Sequence, residues 1–337
     1  MNGRMRASVV GALTVALVAG VAGAALAQDA SFEAQPGAVT LVSYSTPREA
    51  FEEIIPAFQA TDAGAGVEFE TSYGASGDQS RAVAAGLPAD IVEFSLEPDI
   101  TRLVDAGIVA PDWNTNATKG IVTDSVVVIV TRPGNPKNIQ GWDDLIRDDV
   151  SVITPNPVTS GGARWNIMAA YGAQIKAGKT PEEALAFVTE LFKHVTVFDK
   201  SARDSLQTFL AGQGDVLLSY ENEAILAQQN GEDLPYIVPD ATILIENPAA
   251  VTLNGDAPEA AKAFLDYLTG TDAQTIFGNR GYRPVVPEVA ATFDTFPAPA
   301  NLFTIADLGG WADVTKTFFD KTDGSITKIL AGLGAQP

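Results

Sequence analysis

The chain has 337 residues, a length that suits two domains, because a single hydrophobic core rarely grows that large. Hydrophobic residues make up 46% of the sequence, which excludes a globally disordered chain. The net charge of −21 makes nucleic acid and anionic membranes poor partners, since both repel such a surface.

The first segment has the composition of an export signal. Arg4 and Arg6 precede an apolar stretch over residues 8–26, which ends in the small residues that signal peptidase accepts. We predict that residues 1–27 are a signal peptide, cleaved after Ala27, and that the mature protein is periplasmic. A retained membrane anchor is the alternative, which the Ala- and Gly-rich composition disfavours. The chain has no cysteine, so disulfides and lipid attachment through an N-terminal cysteine are excluded.

Short apolar runs then alternate with helical periods, which predicts mostly parallel sheets covered by helices. Strands are predicted at 39–44, 67–72, 91–94, 125–131, 150–154, 195–198, 216–219, 236–238 and 242–245. Helices are predicted at 48–59, 79–85, 99–105, 142–146, 164–176, 181–193, 257–269 and 272–277.

The order of these elements predicts an α/β fold with two lobes. We place lobe 1 at 38–123 plus 247–337 and lobe 2 at 124–246, so the chain crosses between the lobes twice. The C-terminal helices are expected to return to lobe 1. Ligands of such sheets bind in the crevice at the carboxyl ends of the strands.

Four strand-to-helix junctions carry residues typical of a helix N-cap, at Thr46, Ser76, Ser160 and Ser201. A helix N-terminus presents unpaired N–H groups and about half a positive charge. Several of them aimed at one crevice bind a tetrahedral dianion without any basic residue. A single N-cap residue more often serves only to terminate its helix at the N-terminal end, so this interpretation depends on the four occurring together.

The segments around these junctions resemble the periplasmic sulfate-binding proteins of ABC importers. The most specific is the run Thr-Pro-Asn-Pro leading into Ser-Gly-Gly-Ala-Arg-Trp-Asn, within residues 152–166, and segments 43–49, 74–79, 201–203 and 221–224 support it. The resemblance implies a type II periplasmic binding protein, with sulfate held dry in a cleft between two lobes. It also implies delivery to the membrane permease of an ABC importer. We expect a monomer without cofactor or metal.

By the same resemblance, seven residues would bind the ligand: the hydroxyls of Ser76 and Ser160, the N–H groups of Ser45, Gly161, Gly162 and Ala202, and the side chain of Tyr220. Arg164 and Arg203 would lie behind them and pair with acidic side chains.

Three positions depart from the family pattern: Ser45 stands for Asp, Tyr220 for Trp and Asp78 for Lys. The contact at Ser45 uses the backbone, so that exchange should be tolerated. A phenol accepts hydrogen bonds as well as donating them, unlike an indole. An inward Asp78 would repel a dianion, and we expect this residue to face solvent in the first turn of its helix.

Thiosulfate, molybdate and phosphate stay open as ligands of the same fold. Because the expected contacts are donors, we expect a fully ionised dianion to bind better than phosphate, which carries a proton near neutral pH and needs an acceptor. We do not expect an enzyme, since His194 is the only histidine and catalytic triads and zinc clusters need more. A secreted hydrolase with a Ser–Lys pair is the remaining rival, although no lysine lies at helical spacing from Ser76 or Ser160.

Overall fold

Strands and helices alternate along the chain, as the sequence predicts. This computed structural model describes residues 37–334, so the predicted signal peptide and its cleavage site lie outside the described residues. The strands of the described part are β1 Val39–Tyr44, β2 Phe69–Gly74, β3 Ile91–Glu93, β4 Ile121–Thr131, β5 Val152–Pro155, β6 Val195–Asp199, β7 Val216–Tyr220, β8 Tyr236–Ile237, β9 Ala241–Val251 and β10 Asn301–Phe303.

The helices connect these strands and cover the sheet. They are α1 Arg48–Gln59, α2 Ser76–Ala84, α3 Glu97–Asp105, α4 Gly161–Lys176, α5 Pro181–Lys193, α6 Ala202–Leu210, α7 Glu221–Gln229, α8 Pro258–Leu268, α9 Thr271–Asn279, α10 Pro287–Ala290, α11 Gly310–Phe318 and α12 Ser325–Gly332. A short 3₁₀ helix spans Trp142–Ile146. Within residues 37–334, no helix is long and apolar enough to cross a bilayer.

The strands join into one curled sheet in the order β2-β1-β3-β9-β4-β7-β5-β6, with β10 beside β9 and β8 beside β4. Strands β2, β1 and β3 are parallel to one another, and so are β7, β5 and β6. The antiparallel pair β9–β4 stands between these two parallel halves. The predicted α/β class, with parallel strands covered by helices, is confirmed.

Strands β4 and β9 each belong to both halves of the sheet. The C-terminal end of β9 pairs with β3, while its middle pairs with β4, which continues to pair with β7. Five consecutive buried β-branched residues, 126–130, favour the extended conformation in β4. Both strands are longer than predicted, because polar residues such as Asp124 and Asn247 interrupt the apolar pattern at the crossing. The lobe boundaries proposed there stay a prediction.

The C-terminal segment divides between the two halves. Helices α8 and α9 pack on the β2-β1-β3 half, where Phe264 and Phe277 contact Phe51 of α1. Helix α11 instead packs on α4 of the other half, with the ring centroids of Trp311 and Trp165 4.7 Å apart. Helix α11 also contacts α3 of the first half, so the expected return of the C-terminal helices to lobe 1 stays a prediction.

Candidate functional site

A small cavity lies where the strands end and the helices begin. It is far smaller than the roughly 300–1,000 Å³ of common organic-ligand pockets, so it suits a small ion. The lining residues are uncharged: Tyr44, Ser45, Thr46, Ala75, Ser76, Ser95, Ser160, Gly161, Gly162, Ser201, Ala202 and Tyr220. All seven residues predicted from the resemblance are among them.

Both halves of the sheet contribute to the cavity. On one side, β1 ends at Tyr44 and α2 begins at Ser76, just after β2. On the other side, α4 and α6 begin at Gly161 and Ala202, after β5 and β6, and β7 ends at Tyr220. The carboxyl ends of the parallel strands therefore meet at one place, as the fold class predicts for a ligand site.

Backbone N–H groups are the main polar feature of the cavity. Those of Ser45, Ser76, Gly161, Gly162 and Ala202 donate to no acceptor within residues 37–334. Four of these five residues lie in the first turns of α2, α4 and α6, where an N–H has no intrahelical partner. Unpaired donors at several positive helix ends form an anion site that needs no basic side chain.

Two of the four predicted N-caps are present, and both belong to the half that contains α4 and α6. Ser160 Oγ accepts the N–H of Ala163 at 3.4 Å, which leaves its hydroxyl hydrogen free to donate. Ser201 Oγ accepts the N–H of Asp204 at 3.1 Å and donates to the Asp204 carboxylate at 2.8 Å. The hydroxyl of Ser201 is thus engaged, whereas that of Ser160 can still reach a ligand.

The other two predicted caps are wrong. The hydroxyl of Thr46 bonds to that of Tyr282 at 3.0 Å and caps no helix. Ser76 lies inside α2, and its hydroxyl donates to the buried Asp99 carboxylate at 2.6 Å while accepting the N–H of Ser95 at 3.0 Å. A carboxylate is the stronger acceptor, so the predicted Ser76 hydroxyl donor is engaged, and its N–H remains at the cavity.

Glycine is required at the start of α4. A Cβ added at Gly161 would lie 2.6 Å from the Oγ and 2.7 Å from the Cβ of Ser95, so the backbone approaches the opposite half too closely for any side chain. A Cβ added at Gly162 would lie 3.4 Å from the Cβ of Ala202, which is close but within van der Waals contact.

Ser95 is the residue that sequence reasoning missed. Its hydroxyl lies 2.6 Å from that of Tyr220, and its carbonyl accepts from the Trp165 indole at 2.7 Å and the Asn247 amide at 2.9 Å. It lies between the end of β3 at Glu93 and the start of α3, and this position at a strand-to-helix junction was the available signal. The predicted helix began at residue 99, whereas α3 begins at Glu97, so the junction was hidden.

The two arginines predicted to lie behind the ligand residues differ in their bonding partners. Arg203 pairs with Glu223 and with Glu49, each at 2.9 Å, as expected. Arg164 donates to the carbonyl of Pro157 at 3.0 Å and stacks on Phe319, and no ion pair joins it to an acid of the described residues. The expectation that Arg164 pairs with an acidic side chain is therefore wrong; the buried Asp99 pairs with Arg102.

Acidic groups near the cavity are neutralised or turned away. Asp78 pairs with Arg81 and Lys200 and does not line the cavity. Glu93, for which the sequence predicted no role, is fully buried and accepts a hydrogen bond from the Ser43 hydroxyl at 2.6 Å. Burial raises the pKa of Glu93 well above its usual value, which favours the uncharged acid. Within residues 37–334, no cluster of acids and histidines could hold a metal.

Residues 39–283 match the family described as bacterial extracellular solute-binding protein. The chain is 45% identical to the sulfate-binding protein of Synechococcus elongatus over 85% of this chain and 84% of that one. It is 37% identical to the thiosulfate-binding protein of Pseudomonas aeruginosa, over 88% and 92% of the two chains. The solved structure of the sulfate-binding protein SubI from Mycobacterium tuberculosis superposes with a TM-score of 0.82 at 49% identity, covering 84% of this chain and 99% of that one.

Proposed function

The chain belongs to the bacterial extracellular solute-binding proteins, and on that premise we propose that it captures sulfate in the described cavity and delivers it to an ABC importer. The observation that carries the proposal is the set of five unpaired N–H groups around a small cavity without a charged side chain. A ligand that only accepts hydrogen bonds satisfies all of them.

The ligand contacts follow from this geometry. The N–H groups of Ser45, Ser76, Gly161, Gly162 and Ala202 hold the anion together with the free hydroxyl hydrogen of Ser160. Tyr220 adds a hydroxyl; burial raises the pKa of its phenol, so it stays protonated and able to donate. Each hydrogen bond to a charged ligand contributes roughly 1.5–3 kcal/mol.

We further propose that the protein works as a periplasmic monomer with two lobes that close on the ligand. Strands β4 and β9 are the connections about which the halves would move. Contacts across the cavity support closure: the N–H of Gly77 donates to the carbonyl of Thr159 at 3.0 Å, and Arg203 reaches Glu49. The permease of an importer is the proposed receiver of the released sulfate.

The hydrolase alternative has little support in the cavity. Neither histidine nor lysine lines it, and the hydroxyls of Ser76 and Ser201 are bonded to carboxylates of Asp99 and Asp204. No group is therefore positioned to take a proton from the free Ser160 hydroxyl as a general base.

Equilibrium dialysis of the mature protein with labelled sulfate tests the proposal directly. We expect one site per chain, with competition by unlabelled sulfate stronger than by thiosulfate, molybdate or phosphate. Stronger competition by thiosulfate would move the protein to the second ligand class found among its relatives. Absence of any oxyanion binding, together with ester hydrolysis, would reject the binding function.

A further inference from the structure

We infer that the hydroxyl pair of Ser95 and Tyr220 determines ligand specificity and extends the accepted class from sulfate to tetrahedral oxyanions that carry one proton, such as hydrogen phosphate. This inference rests on the proposed sulfate site. It adds to the expectation that a fully ionised dianion binds better than phosphate, because the cavity also offers an acceptor for a ligand proton.

The pair is formed between distant parts of the chain. Ser95 follows β3 in one half of the sheet, Tyr220 ends β7 in the other, and their oxygens lie 2.6 Å apart with both residues at the cavity and almost fully buried. The Ser95 backbone is fixed by its N–H to Ser76 and by the Trp165 and Asn247 side chains on its carbonyl. These bonds fix the backbone from which the Ser95 hydroxyl reaches Tyr220.

A fully ionised ligand uses the pair as one donor. The two hydroxyls carry two hydrogens, and one of them lies in the bond between the oxygens. Only the second hydrogen can point at the ligand, from whichever hydroxyl faces the anion. For sulfate, the pair is thus equivalent to a single N–H donor such as an indole.

A ligand that carries a proton uses the same pair differently. Its O–H donates to a lone pair of one hydroxyl, that hydroxyl donates to its partner, and the partner donates to another ligand oxygen. The ring contains no unpaired hydrogen, and neither hydroxyl changes its protonation. An indole in place of Tyr220 could not complete such a ring, because it has no acceptor.

Some other hydroxyls around the cavity are less suited to accept the ligand's proton. Those of Ser76 and Ser201 already accept a backbone N–H and donate to a carboxylate, and that of Thr46 is bonded to Tyr282. Three hydroxyls at the cavity remain as competing acceptors that the experiment must separate: that of Tyr44, which is buried without a partner within residues 37–334, that of Ser45, and that of Ser160, whose bond to the Ala163 N–H is weak at 3.4 Å.

The test measures sulfate and phosphate affinity by calorimetry at pH 8, where hydrogen phosphate and sulfate carry the same charge and differ by a proton. We expect phosphate to displace sulfate from the unsubstituted protein within about a thousandfold excess. The double variant S95A/Y220W keeps a donor and removes the acceptor. It should bind sulfate within about tenfold of the unsubstituted protein and lose at least about a further tenfold in phosphate affinity.

Two kinds of control make the outcome decisive. S151A/Y236F removes a serine and a tyrosine hydroxyl outside the cavity and should leave the phosphate-to-sulfate ratio unchanged. Y44F, S45A and S160A should each leave this ratio unchanged; a fall in phosphate binding relative to sulfate confined to one of these three variants would assign the acceptor to that residue and overturn the inference. The same ratio in S95A/Y220W as in the unsubstituted protein, or no phosphate binding at all, would equally reject it. Failure of sulfate itself to bind would instead reject the proposed function.

Discussion

The two walls of the cavity use the same kind of residue in different ways. One wall, called here the α4–α6 wall, is formed where α4 and α6 begin, and the hydroxyls of Ser160 and Ser201 cap these two helices. The opposite wall, called here the α1–α2 wall, is formed where α1 and α2 begin. There the hydroxyl of Thr46 bonds to Tyr282 and that of Ser76 to Asp99, both distant in sequence. The first wall is held by local bonds that the sequence pattern indicates. The second is tied to other parts of the fold, so its substitutions should affect folding more than binding.

The contact between the walls offers the largest expected effect. Gly161→Ala places a Cβ within 2.7 Å of two Ser95 side-chain atoms and pushes the walls apart. Overpacking costs up to about 3 kcal/mol, which corresponds to about a hundredfold weaker sulfate binding in calorimetry. Gly162→Ala is the matched control, since its Cβ meets Ala202 only at 3.4 Å, and should lose no more than about threefold. Equal losses in both variants would show that the walls do not meet at Gly161.

Ser76→Ala tests whether the α1–α2 wall depends on long-range bonds. The change leaves the Asp99 carboxylate and the Ser95 N–H each short of a partner inside the protein. An unsatisfied buried group costs about 1–3 kcal/mol, so urea unfolding of the ligand-free protein should show a loss of that size. Sulfate affinity should change less, because the Ser76 N–H remains. Full stability with a large loss of affinity would mean that the hydroxyl serves the ligand instead.

Ser160→Ala is the opposite case on the α4–α6 wall. It removes a hydroxyl hydrogen that has no protein acceptor, and a hydrogen bond to a charged ligand contributes roughly 1.5–3 kcal/mol. We expect sulfate binding to weaken about tenfold. Ligand-free stability should change little, because the cap distance of 3.4 Å makes that bond weak. Unchanged affinity would remove Ser160 from the proposed ligand contacts.

The same contrast explains what the sequence could predict. Most strands and helices, and the caps at Ser160 and Ser201, depend on neighbouring residues and were predicted within a few positions. No bounds were predicted for α6, α7, α10, α11, α12 and β10. The partners of Thr46 and Ser76 lie 236 and 23 residues away, and no local pattern encodes them. The resemblance named seven ligand residues, and all seven line one cavity. It missed Ser95 and the partner of Arg164, because both depend on how the halves pack together.

Lowering the pH should weaken the ion pair that joins the two walls. Its effect on sulfate affinity is the smallest that we expect. Burial raises the pKa of Glu49, but its bonds with Arg203 lower it more, so the folded value lies below the ordinary one. A depressed carboxylate pKa stabilises the closed protein above the ordinary value of about 4.3, and this contribution is lost as pH falls through the folded value.

Between pH 5 and pH 3, sulfate affinity should therefore fall more steeply in the unsubstituted protein than in Glu49→Gln, which lacks the titrating group. At pH 7, Glu49→Gln should bind less than tenfold more weakly, since Arg203 keeps Glu223 as a partner. Glu190→Gln is the matched control, because Glu190 pairs with Lys193 on an exposed helix face away from the cavity. Parallel pH profiles for the unsubstituted protein and Glu49→Gln would show that the Arg203 bridge does not hold the walls together.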